Sequence, residues 1–411
     1  MFSKLRAAMS SRETRSIADT GPSEGIEIGR RRHWPSRTVQ SGWWSASPTR
    51  TTPFLLTVML LLLALIMGLL GFRTVTLEAL IMVTAAVGLY SYSGITGVVS
   101  FGHVGFMAIG GYVVTILTIP VDKKHYALPG LPHVLASRGL SPVAALPIAW
   151  ICGVVSAAVF GLLVWRLTGL AASIATLMFV LIVYTVANGW TSVTGGSGAV
   201  AGVPQILGLT PAIVVGVLAI WLTYGFQRTR WARFAQAARE DEPAASATGI
   251  RINFTRWLSM TLSGGTMAVA GALYVYFVGS MSPQLFYLPM MFLLLAMLVI
   301  GGILSLTGAV IGTIVVEFLQ QILKPLDNGG HLAGFNWDGH PGLRFVVVGL
   351  LILLVLAKRP GGMVNGFELR LPEVGRRFDR QPTSIGTGHA DGAGDGTRKG
   401  RFRWPGSRST N

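Results

Sequence analysis

The sequence predicts an all-α polytopic membrane protein of about ten transmembrane helices, interrupted by broken or re-entrant Gly-rich segments. Composition is the first ground: 51% of the 411 residues are apolar and 12% are charged, against roughly a quarter charged in soluble domains. Block length is the second. The apolar residues fall in runs near 20 long, which at about 1.5 Å per residue cross a hydrocarbon core of about 30 Å. The third is the placing of Lys and Arg, which cluster in two tails and one central loop rather than being scattered.

In order, the blocks run over 53–71, 74–93, 99–119, 142–165, 167–188, 210–227, 256–279, 286–303, 305–323 and 342–357. Residues 1–52 and 358–411 are rich in Gly, Ser, Pro, Arg and Thr, so both are expected to be disordered basic segments. No apolar core lies close to the start, so a cleaved signal peptide is not expected and the first block serves as the insertion signal.

Basic residues near span ends stay on the cytoplasmic side. Nine precede Pro53, eleven lie from Lys358 onward, and six lie in the loop Arg228–Arg256. All three segments face inward only if an even number of spans separates them, and six followed by four meets that condition. Both termini are then cytoplasmic in a plasma-membrane protein. The outer loops keep only Arg73, Lys123, Lys124, Arg138, Lys324 and Arg344. This placement accounts for the net charge of +16. It argues against nucleic acid as a partner and for contact with anionic membrane lipids.

Glycine gives the next clue, with 52 in a chain this helical. The run Gly94–Phe106, containing Gly97, Ser100, Gly102 and His103, makes a poor straight helix because each Gly costs about 1 kcal/mol against Ala. It reads as a break or re-entrant turn feeding a tightly packed span. His103 is either a pathway ligand or a helix-start histidine bonded to a neighbour. A second run, Thr194-Gly195-Gly196-Ser197, falls in an outer loop. It lacks the Gly-Lys-Ser/Thr of a phosphate cradle, and no such motif occurs anywhere in the chain.

Among carboxylates, only Glu78 and Glu317 sit inside apolar blocks, which is thin provision for a proton-driven relay. Asp327, His331, Asp338 and His340 have no compact metal-ligand spacing and read as a solvated loop. Cys152, the one cysteine, lies in an apolar run and reads as a small buried filler.

These residues together resemble a family. Gly88-Leu89, Gly94, Gly97, Ser100-Phe101-Gly102-His103, Phe106, Ile109-Gly110 and Tyr112 look like the signature of branched-chain amino-acid ABC transporter permeases. Ser173-Ile174-Ala175-Thr176-Leu177 and Thr194-Gly195-Gly196-Ser197 are closer to its M-type subunit. The ordered likeness continues through Arg239-Glu240-Asp241-Glu242-Pro243-Ala244-Ala245, Gly249-Ile250, Ala270–Tyr274, Ser282-Pro283, Gly301-Gly302, Ser305-Leu306 and Lys358–Gly361.

The resemblance implies an importer's permease half, itself non-catalytic and without a cofactor. It implies a second permease subunit, two cytoplasmic ATPase subunits that use ATP and Mg, and an extracytoplasmic solute-binding protein. Arg239, Glu240, Asp241, Glu242, Ala244, Ala245 and Gly249 would form the ATPase-coupling loop. Pro243 suits a first helical turn, acidic residues suit its positive end, and Gly249 suits a C-terminal cap. Gly97, Ser100, Gly102, His103, Thr176 and Glu317 are candidates for the pathway or its helix break. Thr194, Gly195, Gly196 and Ser197 would face the binding protein. Tyr90, Leu181 and Gly198 stand where the family commonly has Asn, an acidic residue and Asp. The expected cargo is a branched-chain or related amino acid, with urea or a short amide beside it. An autonomous secondary transporter or channel is the competing class.

Overall fold

The computed structural model describes residues 44–45, 51–137, 139–328, 330–332, 335–337, 342–358, 361–364 and 368–369. Nearly all of the two tails lies outside the described residues, as do Arg138, Asp338 and His340. The helices are α1 (Thr52–Leu69), α2 (Arg73–Thr96), α3 (His103–Thr118), α4 (Val121–Ala127), α5 (His133–Ala136), α6 (Pro142–Leu163), α7 (Gly169–Gly189), α8 (Thr191–Thr194), α9 (Leu209–Gln227), α10 (Arg230–Glu240), α11 (Glu242–Ala247), α12 (Ile252–Val278), α13 (Leu288–Gly301), α14 (Leu306–Asn328) and α15 (Leu343–Lys358). Among the described residues the strands form three antiparallel pairs: β1 (Trp44–Ser45) with β6 (Glu368–Leu369), β2 (Val200–Ala201) with β3 (Ser280–Met281), and β4 (Gly330–Leu332) with β5 (Phe335–Trp337).

Each of the ten apolar blocks holds one helix. Among the described residues eight segments are long and apolar enough to cross a membrane, one of them, Pro283–Gly301, joining a 3-10 turn to α13, and α3 and α15 are shorter apolar helices. Several block edges differ from the hydropathy reading: α12 begins at Ile252, four residues before its block, and α14 runs on to Asn328, five beyond its block. The third block begins four residues too early, because Val99–Gly102 lie outside the helix, which starts at His103. The eighth begins in a 3-10 turn, Pro283–Phe286, before α13 starts at Leu288.

Burial separates inner from outer helices. The most apolar window of α2 is 89% buried, whereas those of α1, α6 and α7 are 28% buried. A helix apolar all round belongs in a core, and α2 buries 21 of its 24 residues. The partner hub is α12, which packs against α2, α3 and α6. Glycine sets the closeness of that packing: a Cβ at Gly110 of α3 would strike the Ala268 carbonyl of α12, and one at Gly271 would strike the Met107 carbonyl. Such close backbone approach drives helix association where lipid offers no hydrophobic gain. The outer helices expose Leu61, Leu65, Val155, Leu162, Ile182 and Leu218, which is the apolar face a bilayer requires.

Candidate functional site

At the end of the bundle where α2 stops, the charged loop folds into two short helices. Thr229 caps α10 by accepting from the Ala232 amide at 3.3 Å. Small residues Ala232, Ala235 and Ala238 form its buried stripe, the first two against Ile95. Asp241 caps α11, accepting from the Ala244 amide at 2.9 Å, with Pro243 in the first turn. After Thr248 the chain turns at Gly249, whose φ of +81 suits a residue without a side chain.

Two cationic side chains fasten this pair to the bundle. Arg239 donates to the Gly94 carbonyl at 2.7 Å and pairs with Glu240 at 2.8 Å, and its stem lies against Gly97, which ends α2 at a φ of +75. Arg256 of α12 grips Glu242 with both terminal nitrogens, at 2.8 and 3.2 Å. The outward face is formed by Glu240, Asp241, Pro243, Ala244, Ser246 and Ala247. Two residues of the expected docking set therefore point the other way. Arg239 serves the joint, and Ala245 is buried with Ala238 and Ile252.

A second feature lies under this joint. Residues 97–102 leave α2 and run back beside its last turns, so the Ser100 amide reaches Ser93 Oγ at 3.2 Å. A non-helical stretch inside a bundle must place its amides and carbonyls. Here α7 supplies the partners: Thr176 Oγ1 accepts from the Phe101 amide at 3.1 Å, and Ser173 Oγ donates to the Val99 carbonyl at 2.6 Å. Gly102 has no room for a side chain, since a Cβ would strike the Thr176 carbonyl. His103, 2% exposed, opens α3 with Nδ1 2.5 Å from Ser100 Oγ and its ring between Tyr92 and Phe106. Its Nε2 has no partner, and a void of only about 10 Å³ lies beside it, walled by Leu89, Met267, Met291 and Leu294. Ser100, Gly102, His103 and Thr176 thus come together as the broken helix and its support. Gly97 belongs to the joint with α10.

Glu317 is elsewhere. It lines a separate cavity of about 250 Å³ with Glu78, Tyr274, Gln284, Gln320 and Arg344. The wall between this cavity and the His103 void is α13, whose Met290 and Leu293 face the former and Met291 and Leu294 the latter.

The comparisons with known proteins can be set beside this geometry. A family profile described as "Branched-chain amino acid transport system / permease component" matches residues 71–356. The chain belongs to that permease family. It is 24% identical over 319 residues to the high-affinity branched-chain amino acid transport system permease protein LivM of Escherichia coli (strain K12), covering 69% of this chain and 68% of the relative. The LivM of Salmonella typhimurium is 22% identical over the same length and shares. The fructose import permease protein FrcC of Rhizobium meliloti is 34% identical over 151 residues, 36% of this chain and 40% of its own. No solved structure matches.

At the permease's other end, the Gly-rich run caps α8. Thr194 donates to the Ala187 and Trp190 carbonyls at 2.6 and 2.7 Å, and Gly195 and Gly196 both take positive φ. Ser197 is exposed, and the chain then pairs as β2 with β3, just beyond the C-terminus of α12. A second buried carboxylate of the permease, in addition to Glu317, went unread in the sequence. Glu368 accepts from the Leu306 and Thr307 amides at 2.7 and 3.0 Å, holding the start of α14 where Met363 and Val364 also bond the end of α13. Burial pushes its carboxyl above the usual range, and the hydrogen bonds from Thr307 and Leu306 pull it back down. No sequence signal marks it, because it lies past the last span. Gln320 was legible: with Glu317 and Lys324 it falls at helical spacing on one face of α14. Of the loop residues weighed for metal, Asp327 pairs with Arg344 at 2.9 Å. No metal-holding group occurs among the described residues.

Proposed function

We propose that the chain is the membrane-spanning subunit of an ABC importer, moving a small polar solute by alternating access while separate ATPase subunits use ATP and Mg. Both termini and the α10–α11 pair then face the cytoplasm, where two ATPases dock. A second permease subunit completes the pore, and an extracytoplasmic binding protein meets the Thr194–Ser197 end. The chain itself catalyses nothing in this reading.

The observation that carries it is the construction of the α10–α11 pair. Its outward face is small and acidic, while its inward face is bolted to α2 by Arg239 and to α12 by Glu242–Arg256. A push on such a pair reaches the two most buried helices of the bundle directly. The aromatic cluster of Trp165, Trp231, Phe254 and Trp257 beside it matches the interfacial belt of a membrane protein.

The relatives' names support a branched-chain or related amino acid as cargo, and the fructose permease keeps the wider class of small polar solutes in view. The test is co-purification. Ala244→Arg with Ala247→Arg alters only exposed positions, so thermal stability should move by about 0.5 kcal/mol or less. The double variant should lose ATPase subunits that the wild-type chain brings down. Retention of both the ATPases and transport would overturn the docking assignment.

A further inference from the structure

The cavity around Glu317 differs in kind from the other large hollows of the molecule. Two of these, of about 600 and 400 Å³, are lined almost wholly by apolar side chains such as Phe292, Val299 and Ile352 in one and Val143, Leu218 and Leu222 in the other. Phe292, Val143, Leu218 and Leu222 are also exposed on the bundle surface, so these hollows are grooves between lipid-facing helices. The Glu317 cavity instead gathers polar groups from α2, α12, the 3-10 turn, α14 and α15.

Those polar groups are not satisfied by one another. Glu317 is 4% exposed and makes no hydrogen bond or ion pair among the described residues. Gln320, one turn on and 6% exposed, has a side-chain nitrogen without a partner. The neighbouring cations lie nearer to other carboxylates, Lys324 3.6 Å from Glu78 and Arg344 2.9 Å from Asp327. Of the three carboxylates Glu78, Glu317 and Asp327, Glu317 is the one without an ion pair among the described residues. The other elements of the wall, α12 and α13, bring Tyr274 and apolar side chains but no cation.

An uncompensated carboxylate at membrane depth is expensive and points to a pathway or ligand role. Glu317 is the twelfth residue of the 23 in α14, so it stands near the middle of the span. We propose that this cavity receives the solute and that Glu317 takes a primary ammonium group of it. Gln320 and the Tyr274 hydroxyl complete the polar wall, and Met82, Met290 and Leu293 face an aliphatic body. The inference rests on the permease reading and names the class of its cargo. A neutral sugar leaves the charge imbalance standing, and an anion without an amine worsens it. A cationic head offsets it, and a primary ammonium group brings three donors to the carboxylate oxygens of Glu317 and Glu78.

The test uses the purified full-length chain and four probes: L-leucine, isopentylamine, 4-methylpentanoate and fructose. Concentration-dependent thermal shift should show binding of the two amines and at least tenfold weaker binding of the carboxylate and the sugar. Glu317→Gln keeps the side-chain shape and should weaken the amines at least tenfold, and Glu317→Asp should restore part of the loss. Equal binding of all four probes, no binding of the amines, or an unchanged amine affinity in Glu317→Gln overturns the assignment. ATPase co-purification is scored on the same preparations. If the ATPases stay bound while the amines fail, the cavity assignment falls and the permease reading stands. If the wild-type chain brings down no ATPase, the permease reading itself has failed.

Discussion

The two polar interiors of this protein, the broken helix at Ser100–His103 and the cavity at Glu317, lie on either side of α13 and follow opposite rules. At the break, hydroxyls of Ser93, Ser173 and Thr176 each meet a specific backbone group, and only His103 Nε2 is left over. At the cavity, a carboxylate and an amide nitrogen stand without partners among the described residues beside about 250 Å³ of space. One set of polar groups holds an irregular backbone in place. The other is available to something that arrives. The difference teaches that a polar residue inside an apolar span is read by its partners: satisfied, it is scaffold, and unsatisfied beside a hollow, it is a site.

Substitutions at the two places should therefore fail differently, and the largest effect belongs to the scaffold. Gly102→Val would drive a side chain into the Thr176 backbone, which cannot move without shifting α7. The expected cost is about 3 kcal/mol or more, seen as loss of monodisperse protein in detergent. Gly189→Ala, which meets nothing within 4 Å, is the matched control and should leave the yield unchanged. Thr176→Val comes next. It removes the acceptor of the Phe101 amide and should lower stability by about 1–3 kcal/mol in thermal unfolding, with Thr176→Ser recovering most of it. Glu317→Gln should do the reverse, leaving stability equal or higher because a buried group that ionises only at a cost is replaced by a neutral amide of the same shape. If Thr176→Val is neutral or Glu317→Gln unfolds the chain, the division into scaffold and site is wrong.

The sequence disclosed these regions unevenly, for physical reasons. Apolar length locates every span, because about 20 residues are needed whatever the fold. It misplaces the start of α3, since Val99 and Phe101 are as apolar as helix residues and only their backbone hydrogen bonds show that they lie outside the helix. The Gly-rich run announces a break at 94–106, but not that Ser173 and Thr176, some 75 residues on, would hold it. Glu317 stands out as a charge in an apolar block, whereas Tyr274 and Gln284 join it only through tertiary packing. The loop shows the converse. Its caps are local and readable in Asp241, Pro243 and Gly249, yet which of Ala244 and Ala245 faces outward depends on the helix being laid against α12.

The smallest expected effect tests whether the loop belongs with the scaffold or with the site. Glu242 and Arg256 form a two-point pair in which the arginine side chain is 12% exposed and the glutamate 42%. Partly exposed pairs contribute little, and the forked geometry raises that to about 1 kcal/mol. Glu242→Ala should therefore lower thermal stability by about 1 kcal/mol, less than Thr176→Val. Its effect on transport should be larger than its effect on stability, because the pair is the direct link from α11 to α12. Solute moved per ATP hydrolysed in proteoliposomes of the whole transporter should fall while the ATPases remain bound. A coupling ratio left at the wild-type value would mean that force reaches α12 by another route. Arg239, bonded to the Gly94 carbonyl at the end of α2, is then the linkage to cut.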